Sequence, residues 1–194
     1  MLTYPKELLL KDATKVIVRP VVKEDLEGLF RFFSTIPKAD LLIYKDDVTR
    51  LETLESWFTN SKYNNVLELV ALKGDEIVAK GTLHEEGLYW KHAAEIKLIV
   101  KPERRGKGLG TQMFKVLLSE GLLHEFQKII VRLTTDSKSF MRILDHFGFK
   151  PEAVLKCYIK YEETGEYKDL MIASYNLEDW QGRFEYYNYV YGEK

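Results

Sequence analysis

The 194-residue sequence has little of the chemistry on which disulfide and metal sites depend. It contains one cysteine, Cys157, so neither an intrachain disulfide nor a cysteine-based metal cluster is expected. Its four histidines show no H-E-x-x-H pattern or other ligand spacing, which argues against a metal cofactor. Cys157 falls within a predicted strand, and we expect it to be a small buried hydrophobic residue rather than a nucleophile.

Long apolar runs and an excess of charge of one sign are also missing. No stretch reaches the ~18 apolar residues of a membrane span, and the first residues lack the charged and apolar regions of a signal peptide. The formal net charge of −1 gives no support to a nucleic-acid partner. With 30% charged and 45% hydrophobic residues, the composition is typical of a globular protein. We therefore expect a cytoplasmic protein with no nucleic-acid and no membrane partner.

The most informative stretch is 94–118, where an extended apolar segment leads through a basic glycine loop into a helix. Residues 95–100 alternate in the pattern of a strand. The loop, 104–110, contains three glycines, which permit positive φ angles and close approach of a ligand to the main chain. The following helix has an apolar stripe formed by Leu109, Met113, Val116 and Leu117. Because unpaired N–H groups and the positive end of the dipole lie at a helix start, this junction can hold a phosphate group.

Two common phosphate loops do not fit this stretch. A Walker loop requires G-x-x-x-x-G-K-[ST], which the sequence does not contain, and the glycine spacing does not match the G-x-G-x-x-G of dinucleotide-binding proteins. The loop instead satisfies [RQ]-x-x-G-x-[GA] through Arg105, Gly108 and Gly110. This pattern resembles motif A of the GNAT acetyltransferases. The alternative interpretation is a glycine-rich helix start that serves only as a tight turn.

The resemblance implies that acetyl-CoA is the co-substrate and that the loop holds its pyrophosphate. The loop residues concerned are Arg105, Gly106, Lys107, Gly108, Leu109 and Gly110. The preceding strand is expected to splay from its parallel neighbour, which would free main-chain groups of Leu98, Ile99 and Val100 to hold the pantetheine arm and the acetyl carbonyl. Ser137 lies near a family asparagine position and either hydrogen-bonds the pantetheine or, as we favour, caps the next helix.

The rest of the chain predicts an α+β fold. Strands are expected at 16–22, 66–72, 77–83, 95–100, 128–133, 154–162 and 167–175. Helices are expected after 23–25, from Asp46 or Asp47, at the glycine loop, and at 137–147, with Gly148 as a left-handed C-terminal residue. This order resembles the GNAT fold, with a mixed, mainly antiparallel sheet of about seven strands flanked by about four helices. The linker 36–45 is unusually apolar and either lines a substrate cleft or packs against the core.

Two further segments carry the resemblance, which covers about 16–177. Residues 147–152 look like the family's G-F-x-x-E turn, and 165–169 look like its closing G-x-Y-x-D hairpin. The first strand and this hairpin also resemble the ribosomal-protein alanine acetyltransferase branch. Residues 1–177 are therefore expected to form a single GNAT-like acetyltransferase domain. The aromatic tail, 178–194, is expected to dock on the core or on a partner subunit, which would allow a homodimer.

The family's reaction implies an N-acetyltransferase in which a primary amine attacks acetyl-CoA directly in a ternary complex. The amine would belong to a protein N-terminus or to a small molecule. Glu95 is the candidate base, because the family often carries a carboxylate on this strand. His84 and Glu85, at the end of the preceding strand, are its rivals. The alternative for Glu95 is an ion pair with Lys97 on a solvated surface.

The acid that would protonate the departing thiolate has no clear candidate. Many family members have tyrosine in an L-Y-x-x-x-G-F segment, whereas this sequence has Leu144 at that position. Leucine cannot donate a proton, and Tyr158 is only a weak candidate acid. The missing tyrosine leaves open a second function, a non-catalytic acyl-CoA-binding regulatory module.

Overall fold

The computed structural model describes residues 2–59, 66–87 and 89–176. The strands, in chain order, are β1 (Lys6–Leu9), β2 (Lys15–Pro20), β3 (Val66–Lys73), β4 (Glu76–Glu85), β5 (Ala93–Val100), β6 (Lys128–Thr134), β7 (Lys150–Tyr161) and β8 (Glu166–Asn176). The α-helices are α1 (Leu26–Ser34), α2 (Lys38–Leu41), α3 (Leu51–Thr59), α4 (Leu109–Leu123) and α5 (Lys138–His146). The predicted aromatic tail lies outside the described residues, so its docking and the domain boundary stay predictions.

The described strands form one eight-stranded sheet in the order β1-β2-β3-β4-β5-β6-β8-β7. Every pair of neighbours is antiparallel except β5 and β6, which are parallel. The helix α4 connects these two strands, as the strand–helix–strand order predicts. The predicted α+β fold with a mixed, mainly antiparallel sheet is therefore confirmed. No helix within the described residues is long and apolar enough to cross a membrane.

Each face of the sheet has its own apolar core. One core lies under α4 and α5 and includes Ile96, Leu98, Met113, Phe114, Leu117 and Val131. The other lies under α1 and α3 and includes Leu29, Phe32, Phe33, Leu54, Val70 and Ile99. Because side chains alternate along a strand, β5 contributes to both cores. Its position in the middle of the sheet thus gives β5 two different environments, one on each face.

Strand β1 and the start of α3 differ from the sequence-based expectation. The segment Lys6–Leu9 was not predicted, because four residues without a β-branched side chain carry little strand signal. A helix starting at Asp46 or Asp47 is wrong, since α3 begins at Leu51. The Asp47 carboxylate accepts hydrogen bonds from the N–H and hydroxyl of Thr49. Asp47 thereby forms a local turn, which competes with helix capping.

Cys157 is exposed, so the prediction of a buried hydrophobic residue is wrong. It lies in an irregularity of the β7–β8 pairing between Leu155 and Ile159 and has a positive φ of 50°. Its N–H donates to the Asp169 carboxylate at 2.9 Å. The bulge turns the strand locally, so simple alternation does not give the direction of this side chain.

The helix C-terminus at Gly148 forms as predicted. Gly148 has a φ of 80°, and its N–H donates to the carbonyl of Asp145. The N–H of Phe149 donates to the carbonyl of Leu144 at 2.9 Å. These two bonds complete the C-terminal motif that a left-handed glycine permits. They fix the exit of α5 into β7.

An ion pair between Arg19 and Asp25 joins β2 to α1 and gives a stability prediction. The two terminal guanidinium nitrogens of Arg19 donate to the Asp25 carboxylate at 2.7 Å, and the N–H of Val22 donates to it at 2.9 Å. We expect Asp25→Asn to lower the free energy of unfolding by about 1–3 kcal/mol at neutral pH, because it leaves Arg19 without its charged acceptor. Urea unfolding at pH 7 measures this loss. Glu27→Gln, an exposed substitution in the first turn of α1, is the control and should change little.

The same pair predicts an acid dependence of stability. Burial alone would raise the pKa of Asp25, but hydrogen bonds from Arg19 and Val22 outweigh it and hold the pKa below its usual range. The stabilisation from Asp25 is therefore complete above about pH 4 and is lost as the pH falls through the lowered pKa. The difference in unfolding free energy between wild type and Asp25→Asn should shrink in that window. A constant difference down to pH 2 would contradict this assignment.

Candidate active site

The central feature of the site is a gap between the parallel strands β5 and β6. The two strands pair only through Ala93, Ala94 and Glu95, although β5 continues to Val100. The other edge of β5 stays paired with β4 as far as Val100. Within the described residues, no strand covers the β6-facing edge of 96–100, and main-chain groups there can bind an extended ligand. The carbonyl of Val100 accepts a hydrogen bond from Nε of Arg105 at 3.0 Å.

The glycine loop closes one end of this gap. Gly106 and Gly108 have φ angles of 75° and 89°, and α4 begins directly afterwards at Leu109. A Cβ atom on Gly106 would meet nothing within 4 Å, so this residue presents open main chain. A Cβ on Gly110 would lie 3.3 Å from Cδ1 of Ile143, so glycine there allows α4 and α5 to pack closely. The loop has an exposed Gly106 and two left-handed glycines, which suit a phosphate group.

The basic side chains of the loop are engaged with carboxylates. Arg105 contacts Asp40 of α2 at 2.7 Å. Lys107 contacts Asp12, in the turn between β1 and β2, at 3.0 Å. The hydrogen bond from Lys107 lowers the pKa of Asp12 to about 2, so Asp12 is ionised at neutral pH. The loop therefore presents main-chain donors, whereas the positive charge of these side chains is partly balanced.

Ser137 lies just after β6 and does not cap α5 through its side chain. The predicted side-chain cap is wrong, because no hydrogen bond of this kind is present. The Ser137 hydroxyl instead lies 3.0 Å from the hydroxyl of Thr134. Its main-chain carbonyl accepts hydrogen bonds from the N–H groups of Phe140 and Met141. The role of Ser137 towards a pantetheine arm stays a prediction.

Glu95 lies in a buried charged cluster on the α1 and α3 face of the sheet, at the point where β5 and β6 separate. Its carboxylate is 3.3 Å from the ammonium of Lys97 and 3.0 Å from the guanidinium of Arg132. Arg132 also donates to Glu86 at 2.8 Å. The expectation of a solvated Glu95–Lys97 pair is half correct: the pair exists, but the Glu95 side chain is only 6% exposed. Helices and the linker before α3 cover this face, which the strand pattern alone does not reveal.

The two rival bases, His84 and Glu85, lie on opposite faces of β4. His84 is paired directly opposite Glu95, and Glu85 is paired opposite Ala94. Since cross-strand partners share a face, His84 lies on the face of Glu95 and Glu85 on the other. Burial, and then the charge of Lys97, lower the pKa of His84. His84 is therefore neutral at pH 7 and can accept a proton, whereas Glu85 is not brought to the cluster.

An aromatic group with one ring each from α1, the apolar linker and α3 borders this cluster. The rings of Phe33, Tyr44 and Trp57 contact one another at centroid distances of 5.6–6.4 Å. The ammonium of Lys97 lies 5.8 Å from the centre of the Tyr44 ring, and that of Lys80 lies 4.2 Å from Trp57. The linker packs against the core, as one of its two interpretations predicts. That it lines a substrate cleft stays a prediction.

Tyr158 is far less suited to donating a proton than the sequence suggested. It is 64% exposed and belongs to the edge strand β7. Strand β8 lies between β7 and β6, and therefore between Tyr158 and the gap. Leu144, at the family's tyrosine position, is buried in the core beneath α4 and α5. The geometry thus gives Tyr158 no support, and its role stays a weak prediction.

Sequence reasoning missed three residues that complete the site: Arg132, Glu86 and Asp40. Arg132 carried a signal, because a charge inside an otherwise apolar strand requires a partner when that strand is buried. The signal did not identify the partners, which come from two other parts of the chain. Asp40 carried no signal. Among the described residues, no group of three or more histidine, cysteine or acidic side chains is placed to hold a metal ion.

Comparisons with known proteins show the family and the fold. A family model described as an acetyltransferase (GNAT) domain matches residues 15–150. RimJ from Mycobacterium smegmatis, solved in complex with CoA-disulfide, has a TM-score of 0.72 and 19% identity, covering 90% of this chain and 88% of that one. The structure of yncA from Salmonella typhimurium with its cofactor acetyl-CoA has a TM-score of 0.70 and 17% identity, covering 84% and 94%.

A ribosomal-protein-alanine N-acetyltransferase from Brucella melitensis is similar to the same extent. Its TM-score is 0.70 at 19% identity, with 82% of this chain and 98% of that chain covered. At such identities these likenesses show a shared fold. No curated protein sequence matches the chain.

Proposed function

Because the chain belongs to the GNAT acetyltransferase family, we propose that it transfers the acetyl group of acetyl-CoA to a primary amine. The observation that carries this proposal is the gap between β5 and β6, which ends at the glycine loop. The acceptor is the amino group of a protein N-terminus or of a small molecule. The similarity to ribosomal-protein-alanine acetyltransferases supports the first of these. A homodimer remains a prediction.

The residues present fit two parts of acetyl-CoA, the pyrophosphate and the pantetheine arm. The amides of the loop from Gly106 to Gly110, which follow Arg105, hold the pyrophosphate, because Gly106 leaves the main chain open and Gly108 turns it into α4. Main-chain groups of Leu98, Ile99 and Val100 hold the pantetheine arm along the uncovered edge of β5. When bound, acetyl-CoA supplies a thioester: its carbonyl carbon bonds to the amine nitrogen, the carbon–sulfur bond breaks, and the sulfur leaves as a thiolate.

Glu95 is proposed to accept the proton that the amine loses. Glu95 is the last residue of β5 that pairs with β6, so its carboxylate borders the position where the pantetheine arm is expected to end. Arg132 and Lys97 hold this carboxylate in place and balance its charge. His84 is the remaining rival, because it lies opposite Glu95 and its lowered pKa leaves it neutral. Either group, or a water between them, is suited to general base catalysis.

Protonation of the leaving group does not require a side chain in this proposal. An ordinary thiol has a pKa of about 8.5, so the thiolate is a tolerable leaving group near neutral pH. The buried Leu144 cannot help, and Tyr158 is exposed on another strand. The lack of a tyrosine at the position of Leu144 is also the observation that favours the second candidate function, a non-catalytic acyl-CoA-binding module.

Thermal unfolding with added ligand tests the cofactor site. At about 100 times its dissociation constant, acetyl-CoA should stabilise the native protein by about 2.7 kcal/mol. For a domain of this size the midpoint should rise by about 5–10 °C. ATP, which has phosphates but no pantetheine arm, is the matched control. No shift with either acetyl-CoA or CoA would refute the proposed site.

Release of CoA tests the reaction. Acetyl-CoA at saturation is mixed with small amines and with peptides that begin with alanine, and free thiol is measured. We expect faster release with at least one amine than with buffer alone. Binding of acetyl-CoA without accelerated release for any amine would favour the non-catalytic module.

A further inference from the structure

The turn between β1 and β2 packs directly against the glycine loop. The N–H of Lys11 donates to the main-chain carbonyl of Lys107 at 3.1 Å. The side-chain amide of Gln112, in the first turn of α4, donates to the carbonyl of Leu9 at 2.7 Å. Asp12 adds an ion pair with Lys107 at 3.0 Å. Three contacts therefore fix this turn beside the proposed phosphate site.

The side chain of Lys11 lies along the glycine at the start of α4. A Cβ atom on Gly108 would be 3.4 Å from Cγ, 3.8 Å from Cδ and 3.6 Å from Cε of Lys11. The aliphatic part of Lys11 thus covers one side of Gly108, and its ammonium group is carried next to the loop. Lysine side chains commonly lay their carbon chain on a surface in this way and keep the charged group in solvent.

Lys11 differs from the loop's own basic residues in its ion pairing. Arg105 is paired with Asp40, Lys107 with Asp12, and Arg104 lies 3.4 Å from Glu76. Within the part of the chain that the structure describes, the Lys11 ammonium forms no ion pair. Among the described residues, the turn therefore supplies, through Lys11, a positive charge beside this loop that no carboxylate balances.

We propose that Lys11 binds a phosphate group of the nucleotide end of acetyl-CoA. This residue precedes the segment matched by the family model, which begins at residue 15. The inference relies on the proposed cofactor site but not on catalytic activity. The phosphate concerned is either the pyrophosphate, held by the loop amides, or the 3′-phosphate of the ribose.

Isothermal titration calorimetry with CoA tests this contact. Lys11→Met keeps an aliphatic chain over Gly108 and removes only the charge. We expect it to weaken CoA binding about tenfold, as for the loss of one charge-assisted hydrogen bond. Lys11→Arg should bind nearly as the wild type does. Lys15→Ala, in the same hairpin and paired with Glu7, is the control and should leave the affinity unchanged.

The phosphate is identified with 3′-dephospho-CoA as a second ligand. If Lys11 contacts the 3′-phosphate, wild type and Lys11→Met should bind this ligand equally. If it contacts the pyrophosphate, the tenfold difference should persist. Equal affinities of wild type and Lys11→Met for both ligands would overturn the inference, whereas no CoA binding by the wild type would refute the cofactor site itself.

Discussion

The Gly108→Glu variant is expected to lose acetyl-CoA binding while it remains folded. Gly108 has a φ of 89° and is the last residue before α4. A side chain there would touch Lys11, would be held in a strained left-handed conformation, and would place a carboxylate at the proposed phosphate site. A like charge at 4 Å costs about 4 kcal/mol at an effective dielectric constant near 20. We therefore expect the affinity to fall by at least about a hundredfold.

The control for this variant must reproduce its backbone strain. A residue other than glycine in the left-handed region costs roughly 1–2 kcal/mol. Gly74, in the turn between β3 and β4, has a φ of 60° and no atom within 4 Å of its Cβ position. Gly74→Glu should therefore carry a similar strain and the same added charge, yet bind acetyl-CoA normally. Calorimetry that shows wild-type affinity for Gly108→Glu would disprove the assignment of the loop.

The second large effect is expected for Glu95→Gln. A well-placed general base contributes ~10²–10⁴ in rate, so kcat should fall by that factor. Glutamine preserves the shape of the side chain but cannot take a proton from the amine. Because the proposed contacts of acetyl-CoA are to main-chain groups of β5 and of the glycine loop, the dissociation constant of acetyl-CoA should not change. Steady-state kinetics and calorimetry on the same preparation separate the two effects.

Glu86→Gln is the matched control for the ion pairs. Glu86 is also a largely buried carboxylate bonded to Arg132, but it lies after β4 rather than at the gap. If loss of charge in the cluster were the cause of the effect, both variants would lose a similar share of kcat. We expect the loss in Glu86→Gln to be much smaller than in Glu95→Gln. A Glu95→Gln variant with wild-type kcat would transfer the role of base to His84 or to water.

Local signals in the sequence determined the framework of the site. The alternation before the glycine loop predicted β5, and the spacing of its glycines predicted where α4 begins. Gly148 likewise predicted the end of α5. These features are encoded by neighbouring residues, because a left-handed turn or an amphipathic stripe depends on positions only a few residues apart. The family motif, most of the order of elements and the single parallel pair follow from such local information.

The tertiary structure alone decided which charges meet. Arg132 contacts Glu95 and Glu86, although some forty residues separate it from either along the chain. Asp40 and Lys11 reach the glycine loop from the linker and from the first hairpin. Partners of this kind depend on the register of strands and on the packing of distant segments. The sequence therefore determined where acetyl-CoA is expected to bind, and only the folded arrangement assigned each charged side chain its partner, because ion pairs form through space.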